Sequence, residues 1–142
     1  LESDEREIKD ILAKSADAIT EVVLIAKHVI QFLRSMSPSM MYDTQKYYPA
    51  IWDRIEERHF SFILETMCNN IIRGQAEGYY LEDVDADIIA KLYIQQVLAL
   101  SNERIFPSSR YEKSELYTHL VRHHLRGLLN ENGRAIADKL EI

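Results

Sequence analysis

Residues 69–89 read NNIIRGQAEGYYLEDVDADII and hold two of the chain's four glycines, Gly74 and Gly78. A phosphate-cradling loop, a glycine-mediated helix contact and a helix ending are the three readings open to them. A dinucleotide loop needs Gly-x-Gly-x-x-Gly after a strand, and a P-loop needs Gly-Lys followed by Ser or Thr. RGQAEG, residues 73–78, follows a helical pattern and has neither. Small residues four apart suit helix pairs in lipid, but this segment is too polar for lipid. The reading that remains is a helix that weakens at Gly74 and stops at Gly78, where a missing Cβ permits a left-handed C-cap. Tyr79 and Tyr80 then pack the turn. Asp85 is placed to cap the next helix, with Asp87 in its first turn, where the helix dipole favours acids.

The same period extends in both directions. Apolar residues recur at spacings of three and four, and no stretch alternates like a strand, so the chain is expected to be all-α. Helices are expected over 3–15, 17–36, 38–47, 49–76, 86–104 and 112–130, with a short tail helix near 134–140. Ser3 and Asp17 stand as N-caps of the first two. Ser37-Pro38 and Pro49 mark helix starts, and Pro107 falls in a loop.

The 142 residues make one domain with room for a core. Apolar residues are 46% and charged ones 28%, a globular balance. No apolar run approaches the roughly 20 residues that cross a bilayer, so no membrane partner is expected. The acidic opening LESDERE is unlike a signal peptide. The lone Cys68 excludes an intrachain disulfide and suits a reducing cytoplasm. The net charge of −6, with bases interleaved among acids, lacks the clustered basic face that nucleic acid requires.

The long helix ending IIRGQAEGYYLEDVDADIIAKLYIQQ resembles the C-terminal regulatory domain of TetR-type transcriptional regulators. KYYPAIWDRIEE at 46–57, RIFP at 104–107 and LVRHHLRGLLNENG at 120–133 agree with it in order and spacing. The likeness runs from about Asp17 to Leu140. Members of that family open with a basic three-helix DNA-reading unit, and nothing of that kind stands here. Residues 1–16 would correspond to the end of the connecting helix, and operator DNA would be a partner only through the absent unit. The resemblance implies six to seven helices, an internal effector pocket, and a homodimer whose last two long helices form a four-helix bundle.

Two groups of residues bear on this reading. Phe32, Met36, Met40, Met41, Trp52, Ile55, His59 and Tyr93 are soft or bulky and could converge where the middle helices meet. The resemblance places a pocket for a small apolar or amphipathic effector there; ordinary core is the alternative. On 86–104, Ile89, Leu92, Tyr93 and Leu100 form one stripe, and Ala90, Ile94, Val97 and Leu98 another. On 112–130, Leu116, Leu120, His123 and Gly127 run beside Tyr117, Val121, His124 and Leu128. Two stripes imply burial on two sides. Ile94, Val97, Leu98, Leu120, His124, Gly127 and Leu128 are therefore candidates to face a second copy, unless both sides are buried within one monomer.

Other chemistries fit less well. Glu56-x-x-His59 has the spacing of a di-iron ligand pair, but no second such pair exists. Glu115, His119 and His123 lie at i, i+4 and i+8, where a zinc or nickel site is conceivable and a solvated face is the commoner outcome. Cys68 has no basic neighbour to activate it and reads as a buried structural thiol. No metal, cofactor or catalytic residue is expected. A metal-binding ferritin-like enzyme and a ligand-free helical scaffold are the alternatives to a regulator.

Overall fold

The computed structural model describes residues 2–35, 43 and 46–140, with the side chains of 2–4, 51, 52, 55 and 56 left aside. These residues form six α-helices: α1 Glu2–Lys14, α2 Ala18–Ser35, α3 Pro49–Ala76, α4 Ala86–Ala99, α5 Lys113–Leu128 and α6 Glu131–Ala137. No strand occurs among them; an isolated antiparallel bridge joins Tyr80 to Leu129. The all-α expectation holds. The helix expected over 38–47 falls largely outside the described residues. No helix among them is long and apolar enough to cross a membrane.

Local chemistry sets most boundaries. The Asp17 carboxylate accepts from the Thr20 amide at 2.7 Å, and Asp85 accepts from Ile88 at 3.1 Å, so both caps form as expected. Ser3 lies inside α1, which is helical from Glu2. Gly78 sits at φ +81°, beyond the end of α3. The Tyr79 amide reaches back to the Gly74 carbonyl at 2.9 Å and the Gly78 amide to Gln75 at 3.1 Å, a complete Schellman ending. The expected helix over 86–104 stops at Ala99. There the amides of Leu100, Ser101 and Asn102 bond three residues back instead of four, and the Asn102 side chain takes the Arg104 amide. The tail helix starts earlier than expected, at Glu131, since the Asn130 side chain caps the Gly133 amide at 2.9 Å.

Gly74 plays a different part from the one expected. The helix does not weaken there; it runs through to Ala76. The ring of the fully buried Tyr80 lies directly over the Gly74 backbone, and a Cβ would overlap it. Tyr80 is thereby pressed between α3 and the residues that follow α5.

α2 is the centre of the fold, packing against α1, α3, α5 and α6, while α3 runs along α4. Ala18, Ile19, Val22, Val23, Ala26 and Ile30 form its inward stripe. They meet Met67 and Ile71 of α3 and Tyr117, Leu120, Val121, Leu125 and Leu128 of α5 in one continuous core. Each of the larger side chains contributes about 1.5–3 kcal/mol by leaving water. α2 and α5 run antiparallel. The Asn70 side chain ties the Ala18 carbonyl to Tyr80, and the Leu81 amide bonds Leu128 at the far end of α5.

Candidate functional site

The seam between α4 and α5 carries a buried polar trio. Tyr93 and Tyr117 share a hydroxyl–hydroxyl hydrogen bond of 3.2 Å, and the His124 ring lies 4.4 Å from that of Tyr93, tilted by 47°. Burial pushes the Tyr93 phenol up to about 12. It pushes Tyr117 up as well, with the neighbouring Tyr93 adding to the shift. His124 moves down to about 4, first because burial penalises the imidazolium and second because His123 adds like charge. The buried His124 Nε2 has no hydrogen-bond partner among the described residues. At neutral pH this group is an uncharged imidazole packed as an aromatic.

The outer side of the seam is different. On α4, Ile88 and Leu92 are each 53% exposed and one helical turn apart, and Leu98 is 45% exposed. On α5 the exposed side carries Glu115, His119, Arg122, His123 and Arg126, and Gly127 has open space beside it.

The seven residues expected to face a second copy divide accordingly. Ile94, Leu120, His124 and Leu128 are buried within the monomer. Val97 is partly buried, and Leu98 and Gly127 are exposed. The stripe Tyr117, Val121, His124 and Leu128 is buried throughout, whereas of the other only Leu120 is, with Leu116 partly buried and His123 and Gly127 exposed. Of the two helices, α4 leaves the large exposed apolar side chains, Ile88, Leu92 and Leu98; Leu24 and Phe32 of α2 and Ile72 of α3 are exposed as well.

Of the eight residues expected to hold an effector, Phe32, His59 and Tyr93 have described side chains. Tyr93 is buried in the core, Phe32 is 41% exposed on α2, and His59 is half-buried on α3. Met36, Met40 and Met41 lie outside the described residues, as do the side chains of Trp52 and Ile55. Among the described residues, one open cleft of about 750 Å³ lies between α2 and α5 and another of about 630 Å³ beside α1, α2 and α3. Neither is lined by Phe32, His59 or Tyr93. No group of three metal-ligating side chains comes together among the described residues. Glu115, His119 and His123 form no such group, and the side chain of Glu56 is outside them. Cys68 is half-buried in α3.

Sequence reasoning missed a polar cluster under the α3 ending. Glu21 is 4% exposed and Asn70 1%. Arg73 donates to Glu21 at 2.6 Å, to Glu77 at 3.2 Å and to the Ser15 carbonyl at 2.8 Å. Asn70 donates to Glu21 at 3.0 Å and accepts from the Tyr80 hydroxyl at 2.9 Å, while Glu77 accepts the Ala18 amide at 2.8 Å. Burial opposes the Arg73 charge, but Glu21 and Glu77 outweigh it and hold its pKa above the ordinary guanidinium value. Burial, with Glu21 next, raises the Tyr80 phenol far beyond its usual range. The cluster fixes the α1–α2 corner to the end of α3. Its one sequence signal was Asn70 and Arg73 one turn apart in an otherwise apolar helix phase.

The class defined by these observations is an all-α fold built around α2. Comparison with known proteins matches no family model, no curated protein and no solved structure. The TetR-type reading accordingly stands on the quoted residues alone.

Proposed function

We propose that this chain is the effector-binding and dimerising domain of a TetR-type transcriptional regulator, a cytoplasmic protein that reaches operator DNA through a separate N-terminal unit. The observation that carries the proposal is the exposed apolar face of α4, where Ile88 and Leu92 are left half in water. Neighbouring exposed apolar residues on one helix mark an interaction surface more readily than scattered ones do. A two-fold copy would pair that face with itself, making an isologous contact of α4 and α5 from each subunit. The effector would act by population shift, favouring one arrangement of the helices and so one spacing of the DNA-reading units.

Sedimentation velocity on the intact chain at micromolar concentration tests the dimer. A two-copy species is expected, and Leu92→Asp should convert it to a folded single-copy one, because that residue is half exposed and its loss costs the core little. A well-folded monomer in the unaltered chain would refute the reading.

A further inference from the structure

We infer that the contact between two copies is acid-labile, with His123 as the group that loosens it. This rests on the dimer reading above and concerns how that contact is regulated. α5 has two flanks beside its buried stripe. One carries Glu115, Thr118, His119 and Arg122, which line the cleft against α2. The other carries Leu116, Leu120, His123 and Gly127, spaced by four, three and four residues and so aligned along the helix. Leu120 is buried and Leu116 partly so, whereas His123 and Gly127, one turn apart, are exposed. Open space lies beside Gly127, so a second backbone can come close there. A copy seated on that flank takes His123 out of water.

Covering a neutral imidazole costs little, but covering an imidazolium costs much unless a carboxylate faces it. The carboxylates near α5 are committed elsewhere. α5 packs against α2 and α4. The one acid of α2, Glu21, is bonded to Arg73 and Asn70, and the one acid of α4, Asp87, holds Lys91 at 3.1 Å. Asp85 caps Ile88, and Glu82 and Asp83 stand in the turn tied to Leu128, more than one helical turn beyond His123. The other charged or titratable groups of α2 are Lys27, Arg34 and His28, the last paired with Glu7. On α5 itself Glu115 lies two turns away on the cleft flank, while Arg122 and Arg126 flank His123 in sequence. His124, the next residue, is buried against the uncharged Tyr93 with its Nε2 unpartnered among the described residues. A two-fold axis brings a second set of the same groups. A protonated His123 therefore meets cations and a dry surface, and the two copies separate to hydrate it.

Sedimentation velocity of the intact chain over a concentration series at pH 7.5 and 5.5, at fixed ionic strength, tests this, with circular dichroism following the fold at both. The interval stays above the pH near 4 at which the buried His124 takes up a proton, so that group remains neutral. Two imidazoles held neutral by association, and titrating near 6.5 when free, weaken a dimer by about 100-fold across it. A rise of that order in the dissociation constant is expected. His123→Gln, at an exposed position, should keep the fold and remove most of the rise. His119→Gln, on the cleft flank, should leave the rise in place. A two-copy species whose constant holds steady in acid, falls in acid, or rises equally in His123→Gln overturns this inference and leaves the dimer reading standing. A single-copy species at both pH values overturns both.

Discussion

Replacing Gly74 by Ala sets two effects against each other. Gly74 lies within α3, and helix propensity alone favours Ala at an interior position by about 1 kcal/mol. The structure opposes that gain. A Cβ at Gly74 would occupy the volume of the Tyr80 ring, which is fully buried and tied through its hydroxyl to Asn70. Tyr80 cannot rotate away without breaking that bond and lifting off the core. Overpacking of this kind costs typically about 1–3 kcal/mol, and displacing the hydroxyl leaves the buried Asn70 carbonyl unpaired for about another 1 kcal/mol. The net expectation is a loss of about 1–3 kcal/mol, or a fall in Tm of about 4 °C per kcal/mol for a domain of this size. Urea unfolding followed by circular dichroism would measure it, with an unchanged m-value confirming that only stability moved. Gly74→Ala combined with Tyr80→Ala should recover much of the overlap cost, since the ring is gone. An Ala variant as stable as the parent would refute the reasoning, because propensity would then have outweighed the close approach.

Other outcomes follow from the same geometry. Gly127→Ala, with open space at its Cβ, should stabilise the dilute chain by roughly 0.5–1 kcal/mol. At higher concentration it should weaken self-association, which sedimentation would report. Arg73→Met should cost about 2–4 kcal/mol in urea unfolding, because it leaves the Glu21 carboxylate buried without its cation. The folded pKa of His124, lowered to about 4 from an unfolded value near 6.5, means that the unfolded chain takes up the proton first. Stability held above pH 6.5 is therefore lost as pH falls towards 4, by about 2 kcal/mol between pH 7 and 5. His124→Leu should lose less stability than the parent over that interval by about the same amount, and equal slopes would contradict a buried neutral imidazole.

What could be read in the residues was whatever a few neighbouring positions decide among themselves. Asp17 and Asp85 cap because a carboxylate reaches an amide three residues on, whatever else the fold does. Gly78 ends α3 because a left-handed residue is needed there and only glycine takes that conformation without strain. The end of α4 was missed by five residues, at Ala99 instead of 104, since the turn around Asn102 is signalled by one weak former among helix-compatible neighbours.

Three-dimensional packing decided the rest. Period alone showed two stripes on α5 but not what covers them, and packing buries Tyr117, Val121, His124 and Leu128 with Leu120 while leaving His123 and Gly127 exposed. Gly74 looked like a weak point in a helix, and became the seat of an aromatic ring six residues away only when the chain turned back at Gly78. The Glu21–Asn70–Arg73 cluster joins residues about 50 positions apart, so no local pattern could announce it. Helical class and turn chemistry are set by interactions within one or two turns of backbone, whereas the partner of each face is chosen by how α2 is surrounded.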